Sequence, residues 1–112
     1  MTEQSLLAFV EDRIIARFRP LKVIVFGSRA RADARPDSDV DLLVVMADAP
    51  NKRALAIEMR RSVADLPLGK DIIVTTPEEI ARRGDMPGSV LRAALREGRL
   101  ICERECPPGD SA

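Results

Sequence analysis

Three short apolar runs, "KVIVF" at 22–26, "VDLLVVM" at 40–46 and "DIIVT" at 71–75, restrict how this chain can fold more than any other feature. Each is rich in β-branched residues and bounded by turn formers, so they read as strands, the first buried on both faces. Around them the apolar spacing changes to three or four. Leu6, Leu7, Val10, Ile14 and Phe18 recur at that interval between Ser5 and Arg19, with Glu11, Asp12 and Arg13 among them, which predicts an amphipathic helix closed by Pro20. Asn51 is placed to cap a helix with Leu55, Met59, Val63 and Leu66 on one face, stopping near Pro67 and Gly69. Thr76, Pro77 and Glu79 form a capping-box pattern that opens a short helix. A further helix spans about Ser89 to Glu97, and "RLICE" at 99–103 can add an edge strand. Helices alternating with three or four strands specify an α/β layer fold.

The chain has 112 residues, near the usual size of a single domain with one core. The sequence has no internal repeat or linker to divide it, so residues 1–103 are expected to form the domain and "RECPPGDSA", residues 104–112, a flexible tail. Eighteen basic residues balance eighteen acidic ones, which argues against a broad field for nonspecific nucleic-acid binding. With no tyrosine or tryptophan and three phenylalanines, little aromatic surface exists for stacking bases either, and direct nucleic-acid binding is not expected. No apolar segment approaches the roughly 20 residues that span a bilayer, and "MTEQSLLAFVEDR" lacks the marks of a signal peptide, so a cytoplasmic protein with no membrane partner is expected.

Histidine is absent altogether, so triads built on an imidazole base are impossible and carboxylates must carry any acid–base or metal chemistry. Cys102 and Cys106 have no second pair to complete a zinc site and are read as ordinary thiols. Attention therefore falls on "FGSRARADARPDSDVDLLVV", residues 26–45. On a strand, Asp39 and Asp41 would project from one face about 7 Å apart. Carboxylates that close oppose each other's ionisation unless a cation lies between them, and hard oxygen donors suit magnesium or manganese. Taken alone, such a pair more often marks a solvated turn leading into a strand. The preceding turn changes the weight: Gly27 ends a strand and Ser28 opens a short helix to about Asp33, leaving backbone N–H groups and a helix dipole suited to phosphate. Asp71, at the head of the third strand, becomes a third metal carboxylate if that strand lies beside the second; otherwise it is an aspartate held by neighbouring Lys70. Arg29, Arg31 and Arg35 lie between turn and carboxylates, where they either neutralise a triphosphate or face water.

Gly27, Ser28, ten residues, then Asp39, Val40, Asp41 and "LLVV" resemble the nucleotidyltransferase signature of the DNA polymerase beta superfamily, and the short length resembles its minimal nucleotidyltransferases (MNT). Ala32 stands where many members carry glycine. The resemblance implies a small mixed sheet with helices packed on one side. It also implies transfer of a nucleoside monophosphate from ATP or another NTP to a hydroxyl, with two Mg2+ ions and release of pyrophosphate. Asp39 and Asp41 match the metal aspartates, Asp71 the third acidic position, and Gly27 and Ser28 the phosphate turn, with Arg29 and Arg31 as nucleotide-binding candidates.

In so short a chain no second domain for recognising an acceptor is expected. Minimal members of the family resemble antitoxins paired with helical HEPN ribonuclease toxins, which implies adenylylation (AMPylation) of a tyrosine on such a partner. Two other readings stay open: a noncatalytic antitoxin that masks its partner by contact, and a transferase acting on a small molecule.

Overall fold

In a computed structural model, which describes residues 3–27, 39–66, 68–83 and 90–103, the strands and helices expected within those residues are present. The first helical stretch comprises α1 (Glu3–Val10), a π-helical turn (Glu11–Ile15) and α2 (Ala16–Phe18). It is followed by β1 (Lys22–Phe26), β2 (Val40–Val45), α3 (Lys52–Ser62), β3 (Lys70–Thr75), α4 (Pro77–Arg83), α5 (Val90–Glu97) and β4 (Arg99–Glu103). The helix expected after Ser28 and the tail 104–112 lie outside the described residues. Among those described, no helix is long and apolar enough to cross a membrane.

The amphipathic pattern of the first helix holds, with Leu6, Val10 and Ile14 buried on one side, but its middle widens to a π-helical turn that the spacing did not signal. From that turn Arg13 lays its guanidinium over the Phe9 ring, 4.6 Å from the centroid, and donates to both carboxylate oxygens of Asp65 at 2.9 Å. It also donates to the Ser62 carbonyl at 3.2 Å, tying the first helix to the end of α3. The helix stops where Arg19 turns left-handed at φ 54°, its N–H donating to the Ile15 carbonyl, and buried Pro20 follows.

The four strands lie in the order β3-β2-β1-β4. β1 runs antiparallel to β2 and β4, whereas β2 and β3, joined through α3, are parallel. Alternation along the strands divides the core in two. On one face Val23, Val25, Leu42, Val44, Ile72 and Val74 pack with Leu6, Val10 and Ile14 of the first helical stretch and with Met59 of α3. Met59 is fully buried, a position at which burial contributes about 1.5–3 kcal/mol. On the other face Ile24 and Leu43 pack beneath Leu91 and Ala94 of α5.

The fold class is the one expected. The arrangement of helices needs one correction: the first helical stretch and α3 share a side, whereas α5 covers the opposite face. The cause lies in the strands, whose central residues are apolar in both directions and leave two faces to be covered.

The local signals act largely as read. Asn51 caps α3 by accepting the Ala54 N–H at 3.1 Å, and Thr76 accepts that of Glu79 at 3.2 Å. Glu79 departs from the reciprocal box: its carboxylate accepts instead from Lys52 Nζ and from Thr75 Oγ1, each at 2.6 Å. The Lys52 and Thr75 hydrogen bonds hold the Glu79 carboxyl below the usual range, assisted by the charges of Lys52 and Arg83. A lowered carboxyl contributes stability that is complete above its unfolded pKa and is lost as pH falls through its folded pKa. Glu79→Gln should therefore flatten the acid limb of a thermal-melt series run from pH 7 to pH 3; an unchanged acid limb would show that this carboxylate does not contribute to it.

Candidate active site

The sheet assembles the site through register. On the α5 side, Phe26 of β1, Asp41 of β2 and Asp71 of β3 are direct cross-strand partners and form one row. The next row, Leu100, Ile24, Leu43 and Ile73, is apolar, and its central residues lie under α5. Carboxylates thus stand at the rim of the sheet, one row beyond the apolar patch. The condition set by the sequence, that the third strand lie beside the second, is met: parallel pairing puts Asp71 next to Asp41, roughly one strand spacing of about 4.8 Å away.

Gly27 ends β1 with φ 77°, a region that glycine enters without penalty. A Cβ built at this position would collide with Oδ2 of Asp41, so the chain turns with its backbone against that carboxylate. β2 begins at Val40, as read from the sequence, so Asp39 lies immediately before the strand and Asp41 on it. The Val40 N–H donates to the Gly69 carbonyl at 2.8 Å, which fixes the approach to the strand. A Cβ at Gly69 would in turn strike the carboxylate of Asp39, with Cγ only 2.8 Å away. Each aspartate of the pair is therefore backed by a glycine, one signalled by the sequence motif and one not.

The three carboxylates act on one another. Asp41 is partly buried, and its carboxyl is pushed above the usual range by burial first, then by the negative charges of Asp71 and Asp39. Asp71 is half-exposed and accepts one hydrogen bond from Arg60 of α3 at 3.1 Å. Lys70 points elsewhere, its ammonium donating to the carbonyls of Leu66 and Leu68 at 2.9 and 3.2 Å, so the pairing of Asp71 with its neighbour in sequence is not the one formed. Arg60 was not named from the sequence and Gly69 was read only as a helix stop; the "LGKD" approach to the third strand was the available signal for a site role of Gly69 alone.

Among the described residues no three acidic or thiol side chains converge on a single point as metal ligands. What the aspartates share is a field of like charge, made of hard oxygen donors, with glycine backbone alongside. That chemistry fits a divalent cation, which would remove the repulsion raising the Asp41 carboxyl. Ser28, Arg29, Arg31 and Arg35, the remaining candidates, lie outside the described residues. A separate crevice of about 430 Å³ opens beyond the far ends of β2 and β3, lined by Asp48, Lys52, Thr76 and Arg82 among others. It is at the opposite end of those strands from the carboxylates, which begin them.

Comparison with known proteins places this geometry in context. The model of the nucleotidyltransferase domain family matches residues 8–101. No curated protein matches the chain. Among solved structures it is similar to a toxin–antitoxin crystal structure with AMP-PNP, at 17% identity and a TM-score of 0.59 over 94% of this chain and 76% of that one. A candidate nucleotidyltransferase from Sulfolobus solfataricus is similar at 25% identity and a TM-score of 0.57, covering 92% of this chain and 81% of the other. A complex of tri-AMPylated Shewanella oneidensis HEPN toxin with MNT antitoxin is similar at 15% identity and a TM-score of 0.52, over 91% and 70% of the two chains.

Proposed function

The chain belongs to the nucleotidyltransferase domain family, and from that premise we propose that it transfers AMP from ATP to a tyrosine hydroxyl of a HEPN-type toxin partner, acting as its antitoxin. The observation that carries the reading is the row in which Asp41 stands beside Asp71 and under Gly27, with Asp39 close enough for its charge to be felt. The toxin–antitoxin complexes of similar fold, one with AMP-PNP and one with an AMPylated toxin, support the choice of nucleotide and partner.

In this reading Asp39, Asp41 and Asp71 would hold two Mg2+ ions, whose positive charge would supply activation of an incoming oxygen and stabilisation of a departing pyrophosphate. The other tasks fall to the chain itself. Gly27 and Ser28 present backbone N–H groups to the phosphates, and Arg29 and Arg31 offset their charge. Asp71, on the outermost strand, orients the acceptor hydroxyl and takes its proton. The hydroxyl oxygen bonds to the α-phosphorus as the bond from that phosphorus to the β-bridging oxygen breaks, so AMP stays on the acceptor and pyrophosphate leaves. The setting of this reading is the cytoplasm, where ATP is available.

The test is the intact mass of the purified HEPN partner after incubation with this protein, ATP and magnesium. An increase of one or more adenylate units on the partner is the expected result. An unchanged mass with a stable complex would replace the transferase reading with masking by contact, and no complex at all would remove the partner.

A further inference from the structure

Arg13 and Arg60 both pair with aspartates, in contrasting ways. Arg13 meets Asp65 with two parallel bonds at 2.9 Å, the forked geometry that locks two elements together. Arg60 meets Asp71 through a single bond at 3.1 Å, with both side chains a little over half exposed. Pairs of that kind contribute little to stability and are easily given up. The pairing is nevertheless not a neighbourly accident of one surface. Met59 directs α3 onto the first face of the sheet, whereas Asp71 shares a row with Asp41 on the second. The Arg60 side chain therefore places its charge on a carboxylate that lies in the row of Asp41, on the face that α3 does not cover.

We propose that Arg60 is a positioning residue that serves as a displaceable counter-ion: it occupies Asp71 while no divalent cation is present, and a cation entering the cluster has to compete with it. The inference rests on the metal reading of Asp39, Asp41 and Asp71 given above. Two consequences follow from charge alone. A fixed positive group a few ångströms from the cluster lowers its affinity for a free divalent cation. A metal that arrives already bound to a triphosphate carries negative charge with it and is opposed less, so the arginine favours loading with nucleotide over loading with metal alone.

The test uses Mn2+ as the probe, with free ion counted by electron paramagnetic resonance during titration of the whole chain. Arg60→Gln should lower the Mn2+ dissociation constant by about threefold to tenfold, the scale expected for one charge at short range in a largely aqueous setting. Arg60→Lys should stay near wild type, since the charge is kept. In an Asp71→Asn background Arg60→Gln should have no further effect, which a purely structural role for the arginine would not produce. Unchanged or weaker Mn2+ binding in Arg60→Gln, while Asp41→Asn still abolishes binding, would overturn the counter-ion proposal and leave the metal reading standing. Mn2+ binding that is absent, or indifferent to Asp41→Asn, would bring down the metal reading and this proposal with it.

Discussion

Asp41→Asn should lower nucleotidyl transfer by roughly a hundredfold to a thousandfold and at the same time raise the melting temperature of the ligand-free protein. The two effects have one cause. The Asp41 carboxyl is raised by burial and by the charges of Asp71 and Asp39, so the folded chain holds that proton more tightly than the unfolded one. A raised carboxyl opposes folding once ionised: stability falls as pH rises from the unfolded pKa through the folded one, and the deficit is complete at neutral pH. Asparagine has no charge to repel, so the gain appears at pH 7 and disappears in acid. Because the group is only partly buried the increase is modest, roughly 1–3 °C. Calorimetry at pH 7 and pH 3, beside transfer assays, checks both signs. A lower melting temperature at pH 7 would mean that Asp41 is structural and not held under repulsion.

Gly27→Ala should be the most damaging single-methyl change near the site. A left-handed φ of 77° costs an alanine about 1–2 kcal/mol, and the added carbon would run into the Asp41 carboxylate. Together the two penalties should reach about 2–4 kcal/mol in a urea titration, with transfer lost as the carboxylate is pushed from its place. The pair can be separated by a double-mutant cycle. In an Asp41→Ala background the collision is gone and only the conformational part, about 1–2 kcal/mol, should remain. Equal costs in both backgrounds would show that the glycine serves the turn alone and has no bearing on the carboxylate.

Local chemistry made much of this legible. The caps at Asn51 and Thr76, the strand runs and the Asp39–Asp41 spacing are short-range signals, each decided by residues within a few positions of one another. Legibility ended where two distant segments had to be brought together. That Asp71 lies beside Asp41 depends on parallel pairing through α3, and nothing within "DIIVT" encodes which strand it will join. That helices pack on one side was an implication of the family resemblance, whereas strands apolar on both faces call for cover on each, which α5 supplies on the second. Arg60 was invisible in the sequence. There it is one arginine of an "MRRS" run on an exposed helix end, and its meaning comes from the Asp71 carboxylate that the fold brings within reach.

The position of β3 as the outermost strand sets a limit on who chooses the substrate. Of the three aspartates, the one assigned to the incoming hydroxyl stands on β3, which has no further strand beyond it among the described residues. Among the described residues, an acceptor presented from that flank would meet the border of the sheet. Under the proposed reaction, selection would then rest with the docked partner, whose shape would decide which of its hydroxyls is delivered, and the small domain would act as a tool that a larger body must aim.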